Sequence, residues 1–217
     1  MTNRMITVKG RGNVETKPDL IILSMSLEAR EEDYADTVES AARDINTVRK
    51  ALVTVGFDAD CIKTTDFRVD TNYESYKDKS GNWKQKFVGY QCTHKLKLEF
   101  DFSMKLLNKT LSAIRKCSVT PVFNIAFSVK DSAAVSEQLL VNAVNNATQK
   151  AAVLASAANV KLGDIINIDY NWGELQLYSD TKLAEPLYCA SDIATPLEID
   201  PDDIKVNDTV TVTWSIE

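Results

Sequence analysis

Residues 131–163, DSAAVSEQLLVNAVNNATQKAAVLASAANVKLG, decide the fold of this chain. Apolar residues recur in this stretch every three or four positions, which places them along one stripe of a helix. The stripe comprises Leu140, Ala143, Ala147, Ala151, Leu154, Ala158 and Leu162. Because most of these side chains are alanine, the helix can lie closer to a sheet than a leucine-rich helix could. The stretch therefore predicts a long structural helix that is capped by Asp131 or Ser132 and stops at Gly163.

Strand patterns stand at both ends of the chain. Residues 6–9 alternate toward Gly10 and Gly12, and the run LIILSMSL follows the turn residues Pro18 and Asp19. This opening predicts a hairpin with its glycines at a bend or bulge. Near the other end, Val210, Val212, Trp214 and Ile216 alternate with polar residues and predict a final strand of the sheet.

The middle of the chain adds further helices and strands. Helical spacing runs from Tyr34 to Val55 and stops at Gly56, and a second, shorter helix follows Ser103 as its cap. Strands are predicted at residues 62–76, 90–100, 123–129 and 165–172, and the strict alternation of the second of these gives it one buried face.

The order of these elements predicts the α+β class, with a mixed, largely antiparallel sheet and amphipathic helices packed on one side of it. No linker divides the chain, so residues 1–217 are predicted to form a single domain. Between about residues 173 and 208 the pattern dissolves into a proline-containing, acidic segment. A connection of this length predicts a functional arm or a mobile loop.

Composition limits the kinds of partner. Of the 217 residues, 44% are hydrophobic, and the net charge is −6. The acidic balance argues against nucleic acid as a partner, because phosphate binding requires a basic patch. No run of apolar residues is long enough for a membrane span, and the first residues do not resemble a signal peptide. We expect a cytoplasmic protein on these grounds, or a periplasmic or exported one if a signal peptide has been removed.

Residues that could carry chemistry are sparse. His94 is the one histidine, and its place on an apolar strand face is more typical of a core or interface residue than of a catalyst. The four cysteines have no metal-binding spacing and favour reduced thiols. Gly10-Arg11-Gly12 lacks the third glycine of a dinucleotide-binding motif, because Glu15 stands at that position. We therefore predict a protein that is not an enzyme, with no catalytic, cofactor-binding or metal-binding residue.

Two alternatives stay open at this point. One is a small-molecule-binding domain or enzyme with a pocket beneath the arm at residues 173–208, using His94 or acidic side chains. The other is thiol-based redox sensing, which requires an exposed cysteine of lowered pKa.

Aromatic residues crowd the central hairpin, between the predicted helix at residues 34–55 and the one that follows Ser103. Such a cluster either packs on its own domain or projects, with Trp83 and the adjoining lysines at its tip, to meet another subunit. The interface candidates are Tyr76, Trp83, Phe87, Tyr90 and His94.

Several short motifs, in their order along the chain, resemble the SIMPL-domain family. They are GRGNVETKPDLIILSMSL at residues 10–27, Gly89-Tyr90 before the central strand, the A-x-x-x-A helix that runs into Leu162-Gly163, and the closing Val-x-Val-x-Trp strand. The similarity covers nearly the whole chain. The family includes bacterial periplasmic immunogenic and oxidative-stress defence proteins.

The resemblance implies assembly more than chemistry. Bacterial relatives look like proteins that form ring-shaped or channel-like oligomers, and a mammalian relative acts as a signalling adaptor for a kinase. Many bacterial members are exported. No catalytic residues of the family can be transferred to this chain. We therefore predict a homo-oligomeric scaffold or binding protein, linked to stress defence and open to a further protein partner.

Overall fold

The computed structural model describes residues 4–170, 173, 175–181 and 198–217. Its helices and strands, in chain order, are β1 (Met5–Thr16), β2 (Leu20–Glu31), α1 (Tyr34–Val55), β3 (Ile62–Lys77), β4 (Trp83–Asp101), α2 (Met104–Arg115), β5 (Val122–Ser128), α3 (Ser132–Ala157), β6 (Leu162–Tyr170) and β7 (Ile204–Ile216). The predicted α+β class is confirmed, and the paired strands are antiparallel.

The strands form two sheets and not the single sheet that the sequence predicts. The orders are β1-β7-β6 and β3-β4-β2-β5. The chain correspondingly divides into two compact units. The first comprises Met1–Asp19, Ser128–Asp180 and Pro201–Glu217, and the second comprises Leu20–Phe127 and Thr181–Asp200. Because compactness does not show that either unit folds alone, the single-domain hypothesis stays a prediction.

The predicted hairpin of the first two strands is wrong. β1 pairs with β7 from Met5 opposite Ser215 to Thr16 opposite Ile204, and β2 pairs with β4. The segment between β1 and β2 bonds instead to the end of β5, where the Asp19 amide donates to the Ser128 carbonyl at 3.0 Å. The amide of Lys130 in turn donates to the Asp19 carboxylate at 2.8 Å. Pro18 and Asp19 thus carry the chain from one sheet to the other.

The core of the first unit lies between α3 and the strands β1 and β7. Its buried residues are Val8, Ala143, Ala147, Ala151, Val210, Val212 and Trp214. On the helix, the buried positions are Leu139, Ala143, Ala147, Ala151 and Ala155. The alanines at the centre of the predicted stripe are confirmed. Leu140 and Leu154 lie off it, since the buried face repeats every four residues throughout.

Gly10 and Gly12 are the positions at which β1 comes closest to α3. A Cβ at Gly10 would overlap the carbonyl of Ala143 and lie 2.7 Å from the Ala147 Cβ, and a Cβ at Gly12 would overlap the carbonyl of Leu139. The pairing of β1 with β7 runs one residue for one residue, so the predicted bulge at these glycines is wrong. The glycines make room for the helix.

Helix α3 starts where the sequence predicts, but it ends earlier than predicted. Asp131 caps the start, as predicted, by accepting a 2.8 Å bond from the Ala134 amide. The helix stops at Ala157, and Asn159 takes the left-handed conformation at φ 54°. Gly163, the predicted stop, lies inside β6.

In the second unit, α1 and α2 pack with the sheet around a larger core. This core includes Leu23, Met25, Leu27, Val48, Leu52, Leu96, Leu98, Leu107 and Ile125. Both helix boundaries follow the sequence signals. Gly56 ends α1 at φ 111°, and the Ser103 hydroxyl accepts a 3.2 Å bond from the Leu106 amide at the start of α2.

We expect Gly10→Ala to destabilise the first unit, because the added methyl group must push α3 away from β1. Overpacking of this kind costs roughly 1–3 kcal/mol. Urea denaturation of the wild type and the variant measures the change. Gly173→Ala is the matched control, since nothing lies within 4 Å of a Cβ at Gly173. Equal losses of stability in both variants would contradict the close approach of helix and strand.

Candidate interaction surface

The hairpin of β3 and β4 extends past the sheet to which it belongs. β4 pairs with β2 only as far as Tyr90, which lies opposite Glu31. Its pairing with β3 continues to Trp83, opposite Lys77. Residues 72–88 therefore form a two-stranded extension, called here the ribbon. Among the described residues, neither edge of the ribbon has a neighbouring strand.

A bulge at the base of the ribbon sets its geometry. Asn72 lies opposite Gly89, but the next residue, Tyr73, lies opposite Phe87, so Val88 is the extra residue. Gly89 has φ 128°, and a Cβ there would overlap the carbonyl of Glu31. Only glycine fits this position, because both the backbone conformation and the neighbouring strand exclude a side chain.

The tip of the ribbon is held by Asp78. Its carboxylate accepts bonds from the amides of Ser80 at 2.9 Å and Asn82 at 3.0 Å, and Lys84 Nζ lies 3.2 Å away. These hydrogen bonds, above all the one from the Asn82 amide, and the Lys84 ammonium lower the pKa of Asp78. Gly81 supplies the positive φ that the turn needs. The tip is an ordered turn, which reduces the entropy that binding would cost.

One face of the ribbon is aromatic. Tyr73 and Phe87 lie opposite each other with ring centroids 5.7 Å apart, and Phe87 meets Tyr90 at 5.4 Å. Tyr90 in turn contacts Tyr34 at the start of α1 at 5.7 Å, and all three contacts are edge-to-face. Trp83 is on the same face as Phe87, two steps of two residues away, with Lys77 Nζ 5.0 Å from its ring.

This aromatic face is largely uncovered. Trp83 is 70% exposed and Tyr73 is 51% exposed, while Phe87 and Tyr76 are somewhat more covered. Tyr76 lies opposite Lys84, on the other face from Tyr73 and Trp83. The structure thus brings together Trp83, Phe87 and Tyr90 among the interface candidates and adds Tyr73 to them.

His94 lies apart from the ribbon, in the interior of the second unit. It is 7% exposed, its Nε2 is 2.9 Å from the Thr64 hydroxyl, and its ring meets Phe67 edge-on at 5.0 Å. Burial, and then the nearby Arg49 guanidinium, lower the pKa of His94. Sequence reasoning missed Arg49, because a single arginine on a helix carries no signal of its neighbour.

Within the described residues, His94 Nδ1 and Arg49 Nε are the buried side-chain nitrogens without a hydrogen-bond partner. When Nε2 accepts from Thr64, Nδ1 carries the proton, so both atoms are donors.

Metal ligands and thiols are two further features of the described residues. They contain no group of three or more histidine, cysteine, aspartate or glutamate residues that could hold a metal ion. Burial raises the pKa of Cys61, Cys92 and Cys117, the opposite of what thiol-based redox sensing requires. Cys189 lies outside the described residues, as does most of the arm under which a pocket was predicted.

One open groove of the first unit has a volume of about 410 Å³. It is lined by Val8, Asn146, Gln149, Lys150, Val153 and Leu154. The groove is at α3 and β1 and carries no cluster of ionisable groups for catalysis. A search of the described helices finds none that is apolar over the length needed to cross a membrane.

These features define an α+β protein of two antiparallel sheets, with an alanine-faced helix on one sheet and a projecting aromatic ribbon on the other. The chain belongs to the SIMPL family, whose description is "Protein of unknown function (DUF541)" and whose sequence profile matches residues 6–214. The resemblance seen in the sequence motifs is thereby confirmed. Comparison with the curated proteins finds no match.

We expect His94 to make folding stability depend on pH. Its native pKa lies below the ordinary value of 6.5, so the unfolded chain takes up a proton that the buried ring does not. Stability should therefore fall as the pH drops from 6.5 toward the native pKa, by at most about 1.4 kcal/mol per pH unit.

The His94→Gln variant tests this dependence, because it removes the one histidine of the chain. Urea denaturation of both proteins at pH 7.0 and pH 5.5, two values chosen for the experiment on either side of about 6.5, gives the two slopes. We expect a smaller difference between the two pH values for the variant. Equal differences for wild type and variant would contradict a neutral, buried His94.

Proposed function

We propose that this chain is a non-enzymatic scaffold protein that self-associates into homo-oligomers through the aromatic face of its ribbon. The observation that supports this proposal is the ribbon itself, which leaves the sheet beyond Tyr90 and exposes Tyr73, Trp83 and Phe87 on one face. Tyrosine, tryptophan and phenylalanine are enriched at interfaces between proteins. A link to stress defence is implied only by the resemblance to relatives.

The geometry of the ribbon also supports a binding role over a purely structural one. The edge-to-face contacts from Tyr73 through Phe87 to Tyr90 fix the rings before any partner arrives. The Asp78 turn fixes the tip in the same way. A surface whose rotamers are already fixed loses less conformational entropy on binding.

The aromatic face can contribute substantially to the free energy of association, but it is too small to stabilise an oligomer by itself. Covering the exposed parts of three large aromatic side chains removes on the order of 300 Å² from water. At about 25 cal/mol per Å² this burial stabilises a complex by roughly 8 kcal/mol. Association itself costs roughly 4–15 kcal/mol. A stable oligomer therefore also needs apolar surface on the partner that receives the ribbon.

Charge supports a second copy as the partner. The ribbon contains four lysines against Glu74 and Asp78, a net charge of +2, whereas the whole chain has −6. The rest of each copy is therefore acidic, at −8, and attracts the ribbon of another copy.

We expect the double variant Tyr73→Ser/Trp83→Ser to lower the mass of the particle in solution, because it removes two exposed rings of the aromatic face. Light scattering at low and at high salt measures the mass. Tyr178→Ser is the matched control, since Tyr178 is 49% exposed but lies in the first unit.

The proposal fails if the wild type is a monomer across the concentration range. It also fails if the double variant keeps the mass of the wild type. A fall in mass for Tyr178→Ser as large as that for the double variant would show that the ribbon has no special role.

A further inference from the structure

The two edges of the β1-β7-β6 sheet differ in whether α3 forms hydrogen bonds with them. At the β1 edge, α3 reaches over and satisfies the free main chain. The Arg11 amide donates to Asn146 Oδ1 at 3.0 Å, Asn142 donates to the Asn13 carbonyl at 2.9 Å, and Lys150 donates to the Lys9 carbonyl at 3.2 Å. These helix residues are spaced by four, beside the buried alanines, so one helix both packs on β1 and closes its edge.

From Asp164 to Asp169 the β6 edge has no such cover among the described residues. There β6 pairs with β7 alone. Ile165, Ile166 and Ile168 of this strand are each about half exposed. Ile165 lies opposite Trp214 and Ile168 opposite Val212, the residues that face α3 on the neighbouring strand. A strand with a free edge and exposed isoleucines is a template for pairing with another chain.

Charge distinguishes between the strands that could pair with β6. Between Leu162 and Tyr170 the charged residues are Asp164 and Asp169, both exposed. Two β6 strands paired antiparallel would bring these carboxylates of two copies close together, which is unfavourable. A basic strand with apolar side chains suits this edge better. The ribbon is such a strand pair, because it combines its aromatic face with a net charge of +2.

We propose that the ribbon of one copy docks along the β6 edge of a second copy. This inference rests on the proposed self-association and names its receiving surface. The main chain of the ribbon continues the sheet past β6, its aromatic face covers Ile165 and Ile168, and its lysines meet Asp164 and Asp169. The contact joins two different surfaces, so it is head-to-tail. Each copy has one ribbon that docks and one β6 edge that receives a ribbon.

A mixing experiment tests this arrangement with the full chain. Tyr73→Ser/Trp83→Ser removes the aromatic face of the ribbon, and Ile165→Lys/Ile168→Lys removes the apolar surface of the β6 edge. We expect each variant alone to have the monomer mass by light scattering. An equimolar mixture should instead give a particle of twice the monomer mass, because one contact, and only one, can form between the two variants.

The outcomes separate this inference from the proposed function. If the ribbon variant dissociates but the isoleucine variant assembles like the wild type, the ribbon acts elsewhere and the inference is wrong. A mixture that stays monomeric also overturns it. A monomeric wild type overturns both proposals.

A second β6 variant guards against loss of folding. Asp164→Lys/Asp169→Lys changes only exposed charges and keeps the isoleucines. We expect it to raise the dissociation constant at least tenfold at low salt, with a smaller effect at high salt. No change at low salt would contradict the placement of the ribbon lysines. Circular dichroism confirms that every variant is folded before its mass is compared.

Discussion

The close approach of α3 to β1 is the contact on which the first unit depends. Gly10 and Gly12 remove side chains from the strand, and Ala143 and Ala147 shorten those of the helix. At this short distance Asn142, Asn146 and Lys150 reach the edge of β1. Small residues thus let the helix lie close to the strand, and the polar residues next to them form hydrogen bonds with the main chain of that strand.

The same helix leaves the two edges of its sheet unequal. Its polar side chains close β1, while β6 keeps three exposed isoleucines among the described residues. In the second unit, Gly89 and the bulge beside it are at the point where the ribbon leaves the sheet. Glycine therefore has two different uses in this chain. At β1 it admits a helix, and at Gly89 it permits a backbone conformation that other residues avoid.

Local signals in the sequence predicted local structure well. Helix α1 begins at Tyr34 and stops at Gly56 as its periodicity indicates, and the alternation of β4 from Cys92 to Phe100 matches its buried face. The choice of partner strand could not be predicted in the same way. The alternation of residues 6–9 suits pairing with β2 or with β7 equally, since it records only which face is buried.

The sequence shows which residues of the ribbon are aromatic, but not which of them share a face. The crowding of Trp83, Phe87 and Tyr90 is visible in the sequence. Their shared face is not, because Phe87 and Tyr90 are three residues apart and would point to opposite sides of a regular strand. The bulge at Val88 reverses the alternation. The spacing of Asn142, Asn146 and Lys150 by four is visible in the sequence. That these side chains bond to the edge of β1 is visible only in the structure.

The central place of β7 in its sheet has a consequence for synthesis on the ribosome. β1 pairs with β7 along its whole length, yet more than 180 residues separate these two strands in the chain. The described strands and helices of the second sheet, β2 to β5 with α1 and α2, by contrast follow one another in the chain from Leu20 to Ser128. Pairing of the strands within that segment can begin during translation, whereas β1 must wait, unpaired, until β7 emerges. Premature termination before Ile204 would leave β1 and β6 without the strand that joins them.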